Sequence, residues 1–183
     1  MNRYELQSYL EFVRFLYDDR DPGHDFNHIK RITERLSILS ADLITTLRDD
    51  LLYFLACFHG LRNKINTDYK FRENVRSFLI NLGWNESNID EGFICLERHL
   101  KSPKTVEEKV VHDANYMDLL GAFGVAKAFT TGGAKGQSYE ETANIFEYGY
   151  LDKIEFLTPK GKVLAEEKKK YTKDFFKQLR SEL

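Results

Sequence analysis

Apolar residues recur at helical spacing along nearly the whole chain. Leu6, Leu10 and Val13 form a first stripe, and a second stripe begins at Phe26 and continues through Ile29. Side chains three and four positions apart share one face of an α-helix, so each stripe predicts a helix packed against a core. Similar stripes cover three later segments, residues 71–82, 89–100 and 110–129.

Residues 47–58 differ from the stripes because they are apolar on most sides, which predicts a helix buried in the middle of a bundle. No segment shows sustained alternation of apolar and polar residues between turn residues, so no strand is predicted. A length of 183 residues suits one domain. We therefore expect an all-α fold, a single-domain helical bundle over residues 1–183, with C-terminal helices in 139–183 packed on the rest.

Turn signals divide the predicted helices. Residues 21–23, Asp-Pro-Gly, separate the first two, and Ser102-Pro103 precedes a helix for which Thr105 is a candidate N-cap. The glycine-rich residues 130–138 are predicted to form the loop with the most turn signals, and Pro159 suits the first turn of a last long helix.

The composition of the chain limits the kinds of partner and the cellular location that we expect for it. The 27 basic and 29 acidic residues are interspersed and give a net charge of −2, so no basic stripe indicates nucleic acid. No apolar run has the length of a membrane span or the character of a signal peptide, so we expect no membrane partner and a cytoplasmic protein. Cys57 and Cys95 lie in apolar runs and are expected to be reduced core residues.

Imidazoles and carboxylates cluster in three short segments beside apolar helices. These segments are residues 23–28 (Gly-His-Asp-Phe-Asn-His), 58–60 (Phe-His-Gly) and 112–118 (His-Asp-Ala-Asn-Tyr-Met-Asp). Imidazole nitrogen and carboxylate oxygen are the usual ligands of Mn, Fe, Co, Ni or Zn in hydrolytic sites. The three segments are therefore candidates for one metal site.

In order and spacing, the segments resemble the HD-domain superfamily of metal-dependent phosphohydrolases. In that family the second His of Gly-His-Asp-x-x-His, a His-Asp pair, and an Asp of a later Asp-Ala-Asp-x-Leu-Asp motif meet at one divalent cation. The resemblance implies His28, His59 and Asp113 as metal ligands.

The resemblance assigns further residues. His99 and Asp118 are implied as catalytic residues, although Asp118 lies five positions past Asp113, so a structural hydrogen bond is an alternative role for it. A structural role at the helix start is the better interpretation for His24 and Asp25. His112 has no counterpart in the family and is expected to be peripheral.

Two C-terminal patterns extend the resemblance to a bacterial subgroup similar to nucleotide pyrophosphohydrolases. They are Ala-Phe-x-x-Gly-Gly-x-x-Gly at residues 128–136 and Thr-Pro-x-Gly at residues 158–161. The implied partner is a small phosphorylated molecule such as a nucleotide, with Lys135 as a candidate phosphate contact. The number of subunits is left open.

One position departs from the family pattern, and it decides between an enzyme and a non-catalytic protein. Gly60 stands where the family has the Asp of His-Asp, so one ligand and one negative charge are missing. We expect Mn, Ni, Fe or Zn to bind weakly or not at all. The favoured hypothesis is a divalent-metal-dependent phosphohydrolase impaired at Gly60, because three protein ligands can still hold a catalytic metal. The alternative is a non-catalytic module of the same fold that binds a nucleotide or a protein.

Overall fold

The structure, a computed structural model, describes residues 3–18, 20–21 and 23–183. All regular elements within these ranges are helical, which confirms the all-α prediction. The helices are α1 (Arg3–Val13), α2 (Phe26–Ser40), α3 (Asp49–Phe58), α4 (Arg62–Thr67), α5 (Tyr69–Asn81), α6 (Glu86–Arg98), α7 (Val106–Tyr116), α8 (Gly121–Ala134), α9 (Tyr139–Phe146) and α10 (Pro159–Glu182). Short 3-10 turns follow three of the helices, at Arg14–Tyr17, His59–Leu61 and Met117–Leu119, and a π-helical turn at Glu147–Leu151 follows α9.

The central helix of the bundle is α3. Every residue from Leu51 to Phe58 is buried, as the apolar run predicts, and α3 packs against α1, α2, α6 and α7. Burial of large apolar side chains stabilises a fold by about 1.5–3 kcal/mol each, so this helix contributes strongly to the core. The turn that carries His59 directly continues α3, and its residues His59 and Gly60 are half-buried.

Local capping fixes where the site-bearing helices begin. Asp25 is the N-cap of α2, and its side chain accepts a hydrogen bond of 3.0 Å from the backbone N–H of His28. Thr105 forms a capping box with Glu108 at the start of α7, which confirms the predicted N-cap. Both caps satisfy backbone N–H groups that would otherwise lack partners.

The predicted loop over residues 130–138 is wrong in its extent. Helix α8 continues to Ala134, and α9 begins at Tyr139. The reason is a close helix contact, because a Cβ on Gly132 would lie 2.2 Å from Oγ1 of Thr142. Gly132 thus lets α8 and α9 approach each other, while Gly136, with φ of +72°, ends the segment in the left-handed region that favours glycine.

The last helix, α10, packs against α2, α7 and α8. Its buried Thr172 accepts a hydrogen bond of 2.8 Å from the backbone N–H of Gly121, which ties α10 to the start of α8. Within the described residues, no helix combines the length and the apolar character that crossing a membrane requires.

Candidate functional site

Four imidazoles from separate parts of the chain form a row. His24 precedes α2, His28 lies in its first turn, His59 follows α3 and His99 ends α6. The ring centroids are 6.0 Å apart from His24 to His28, 5.1 Å from His28 to His59 and 6.2 Å from His59 to His99. The structure therefore brings His28, His59 and His99 together.

His28 is oriented by hydrogen bonds at both ring nitrogens. Its Nδ1 lies 2.7 Å from Oδ2 of Asp118, and its Nε2 lies 3.1 Å from the side-chain oxygen of Asn115. Burial lowers the pKa of His28, so the ring is neutral near pH 7, donates from Nδ1 and carries a lone pair at Nε2. A half-turn of the Asn115 amide places its NH₂ group beside that lone pair as a donor. Asn115 then occupies the imidazole nitrogen that a metal would need.

Asp118 anchors a buried network. Its carboxylate accepts from His28, from Nε of Arg31 at 3.0 Å and from Nη1 of Arg35 at 2.6 Å, and it has no solvent exposure. Burial raises the pKa of Asp118, but the hydrogen bond from His28 and the charge of Arg35 outweigh this effect and hold the pKa well below its ordinary range. The hydrogen-bonding alternative for Asp118 matches these contacts, and its catalytic role stays a prediction.

The carboxylate of Asp113 is directed to the start of α10. It accepts hydrogen bonds from Thr158, at 2.8 Å from the backbone N–H and 2.7 Å from the hydroxyl, and from the N–H of Leu157 at 3.0 Å. Side chains two positions apart on an α-helix are separated by about 200° around the helix axis, so Asp113 and Asn115 point to opposite sides of α7. The structure does not bring Asp113 together with His28, and its metal-binding role stays a prediction.

His59 and Gly60 lie in the 3-10 turn after α3. Burial lowers the pKa of His59 well below its ordinary value, and its Nδ1 is 3.5 Å from the carbonyl of Ala56. Gly60 is not among the described glycines with positive φ, so it does not act as a left-handed C-cap of α3. A Cβ at Gly60 would lie 3.0 Å from Cε1 and 3.1 Å from the hydroxyl oxygen of Tyr17. The ring of Tyr17 therefore covers the side of the turn where the family carboxylate would begin.

His99 carries a buried nitrogen without a partner. Its Nδ1 donates to the carbonyl of Leu96 at 2.8 Å, while Nε2 has no hydrogen-bond partner within the described part of the chain. Burial lowers the pKa of His99 to about 4, so Nε2 presents a lone pair at neutral pH. His99 and His59 line a cavity of about 350 Å³ with Arg62 and Lys101. His112 lies off the row, where it donates to Asp113 at 3.0 Å and packs on Tyr116.

A second cavity, of about 280 Å³, runs along α8. His24, Asn115 and Lys127 lie on its lining with Lys135, which is exposed at the C-terminal end of the helix. Its apolar lining includes Leu119, Ala128, Ile145, Phe146 and Tyr150. Predominantly apolar cavities with a few polar groups are typical of small-molecule sites.

The donor set does not fit Mn, the hardest of the predicted cations. The row offers four imidazoles and the amide of Asn115, while the nearby carboxylate of Asp118 is already bonded to two arginines. Within residues 3–18, 20–21 and 23–183, no group of three or more His, Cys, Asp or Glu side chains is arranged to hold a metal ion. Mn and similar hard cations prefer carboxylate oxygens, which are missing from this set.

Sequence reasoning missed Asn115 and Lys127. When residues 113–118 are compared position by position with Asp-Ala-Asp-x-Leu-Asp, Asn115 stands at the second Asp, so a signal was available. Lys127 is the single charged residue of the apolar helix α8, and this isolation was the available signal for it. Both residues line the cavity along α8.

Comparison with known proteins supports the fold. No protein-family model matches the chain. The uncharacterized protein YpgQ of Bacillus subtilis is 26% identical over 196 residues, which cover 94% of this chain and 90% of that protein. The crystal structure of YpgQ in complex with ADP has 23% identity, a TM-score of 0.76 and 97% coverage of both chains. An HD-superfamily hydrolase from Bacillus thuringiensis has 24% identity and a TM-score of 0.78, with 98% of this chain and 97% of that chain covered.

The chain thus has the fold of the HD-domain superfamily, and the resemblance drawn from its motifs is confirmed at that level. Fold alone does not assign chemistry, which depends on the side chains of the site.

Proposed function

We propose that this protein is a nucleotide-binding module with the fold of HD-superfamily hydrolases, and that it binds its nucleotide without metal-dependent hydrolysis. One observation carries the proposal: both carboxylate positions nearest the imidazole row have lost their charge. Gly60 replaces the Asp of His-Asp, and Asn115 replaces the Asp of the later motif on the side of α7 that faces His28.

The two replacements act together on metal affinity. Each removes one negative charge, and Gly60 also removes an oxygen ligand, whereas Asn115 keeps a neutral amide oxygen; Arg31, Arg35 and Lys127 keep positive charge close to the row. Removal of even an outer-sphere partner of a metal ligand costs about 10–100-fold in affinity or activity. Loss of one ligand and of two negative charges is expected to cost more than that, because a cation would also be repelled by the remaining positive groups.

Nucleotide binding is supported by the cavity along α8. It combines apolar side chains, against which a base can pack, with the cationic side chains of Lys127 and Lys135. YpgQ of Bacillus subtilis, which shares the fold, has been crystallised in complex with ADP. A nucleoside diphosphate is therefore the first ligand to test.

A second candidate function is the metal-dependent phosphohydrolase that the motifs predicted. The observation in its favour is Nε2 of His99, a buried lone pair without a partner beside His59. Three imidazoles can hold zinc in a catalytic site, so a borderline metal is the one to test for this candidate.

The deciding experiment measures binding and turnover on the same protein. ADP and other nucleoside diphosphates are titrated calorimetrically in EDTA, and phosphate release is measured in parallel with Mn, Ni or Zn. We expect saturable binding in EDTA and no release above that of a His59→Ala variant. Metal-dependent release that His59→Ala abolishes would establish the hydrolase instead. Failure of every nucleotide to bind would refute the proposal.

A further inference from the structure

Lys127 occupies an unusual position on the wall of the cavity along α8. It is half-buried, and its aliphatic stem passes directly over Gly23. A Cβ at Gly23 would lie 2.9 Å from Cε and 3.7 Å from Cγ of Lys127. Gly23 has no positive φ, so its lack of a side chain matters here for space and not for backbone conformation. The fold therefore leaves a groove for this lysine beside His24.

The ammonium group of Lys127 lacks a counter-ion of its own. No hydrogen bond or ion pair joins it to a residue in the described ranges, and Asp118 is already bonded to His28, Arg31 and Arg35. Asp21 is engaged with His24 at 2.9 Å. Burial and the charges of the two arginines lower the pKa of Lys127, although the charges of Asp118 and Asp21 oppose this effect. The wall of the cavity carries an excess of positive charge that a bound anion would neutralise.

Building on the nucleotide-binding function proposed above, we infer that Lys127 is the cation that binds the phosphate groups of the ligand. His24 and Asn115 lie on the same cavity lining and offer further hydrogen-bonding groups. The base then packs against the apolar side chains of α9 and the turn after it, Ile145, Phe146 and Tyr150. In this orientation the negative phosphate groups meet the positive lysine, and the base meets the apolar side chains.

Lys135 is less well placed than Lys127 to bind the phosphate groups. It lies eight residues after Lys127, so about 12 Å separates the two positions along the axis of α8. It is also exposed, and water screens its charge. Lys135→Gln therefore tests the competing assignment of the phosphate to Lys135, because it removes the same charge from the end of the same helix and from the same cavity.

The test uses three probes, inorganic pyrophosphate, ADP and adenosine, titrated calorimetrically in EDTA. We expect Lys127→Gln to weaken pyrophosphate and ADP on the order of 10- to 100-fold, the usual effect of losing a charged hydrogen bond, and to leave adenosine unchanged. Lys135→Gln should change each by less than about 5-fold. Tyr150→Ala should weaken ADP and adenosine but not pyrophosphate.

A fourth variant moves Lys127 without changing any charge. In Gly23→Ala the new Cβ displaces the flexible end of Lys127, so pyrophosphate affinity should fall while the protein stays folded. Thermal unfolding separates binding from structure, because removal of a desolvated, unpaired charge in Lys127→Gln should not lower the melting temperature. A purely structural lysine would lower it.

The outcomes separate this inference from the function on which it rests. If wild-type protein binds ADP and Lys127→Gln binds pyrophosphate as tightly as wild type, the inference is overturned and nucleotide binding stands. If wild type binds pyrophosphate through Lys127 but no nucleotide, the anion site stands and the proposed function fails. A loss seen with Lys135→Gln alone would assign the phosphate to Lys135 and overturn the inference.

Discussion

Replacement of Asp113 by alanine tests whether this carboxylate is a structural anchor. Asp113 is fully buried and holds the first turn of α10 through the N–H and hydroxyl groups of Thr158, itself 2% exposed. Thr158 in turn caps α10 by accepting from the N–H of Gly161 at 3.0 Å. The contact is tight, because a Cβ at Gly161 would lie 2.2 Å from Oδ2 of Asp113.

The expected cost follows from the donors that lose their acceptor. Each buried donor left unsatisfied costs about 1–3 kcal/mol, so the two donors of Thr158 together predict a loss of about 2–6 kcal/mol in the free energy of unfolding. For a chain of this size, 1 kcal/mol corresponds to about 2–4 °C, so the melting temperature should fall by at least about 4 °C.

The measurement is urea unfolding followed by circular dichroism, with Asp152→Asn as a control that removes a carboxylate exposed at the surface. The control should stay within about 0.5 kcal/mol of wild type. In a double-mutant cycle, Asp113→Ala and Thr158→Ala should cost less together than the sum of the single changes, because they remove the same contact. Wild-type stability of Asp113→Ala would refute the anchor and return Asp113 to consideration as a metal ligand.

Three further predictions test the site. The pKa of His99 is about 4 in the folded protein and about 6.5 in the unfolded protein, so unfolding takes up a proton between these pH values. Urea titrations should therefore show about 3 kcal/mol of stability lost as the pH falls from 6.5 to 4, and His99→Gln should reduce that loss. Asn115→Asp should raise zinc or manganese affinity at least about 10-fold by equilibrium dialysis, and an unchanged affinity would exclude Asn115 as the replaced ligand. Gly60→Asp should lower the melting temperature because its Cβ would lie 3.0 Å from Cε1 of Tyr17, and an unchanged melting temperature would refute that contact as a source of strain.

The helices were predictable because their signals are local. Apolar spacing locates α2, and the unbroken apolar run locates the buried helix α3, since both patterns depend only on neighbours along the chain. The extent of the loop after α8 was not predictable in the same way. Gly132 is a turn signal in the sequence, yet its role is set by Thr142, which reaches it only in the folded state.

The sequence predicted which residues lie near the site better than it predicted which way their side chains point. Motif order placed His28, His59 and His99 in one region, and the structure does bring them together. Which carboxyl or amide of α7 faces them depends on how the helix is rotated in the bundle. The sequence alone does not fix that rotation, and a rotation of α7 by about 200° about its axis would exchange Asn115 for Asp113 at the imidazole row.

The motif residues of this chain also differ in what they contribute to the fold. Removal of Asp118 would leave His28 and two arginines around an unpaired buried site, a change that typically costs about 3–5 kcal/mol. Gly60 and Asn115 lie on cavity walls, where the side chain can change without leaving a buried charge unpaired. Agreement with the family motif at Asp118 therefore indicates mainly the helical fold, whereas the residues at positions 60 and 115 indicate which chemistry the site can perform. Both of those positions lack a carboxylate in this chain, so the HD-type fold does not by itself imply the metal site.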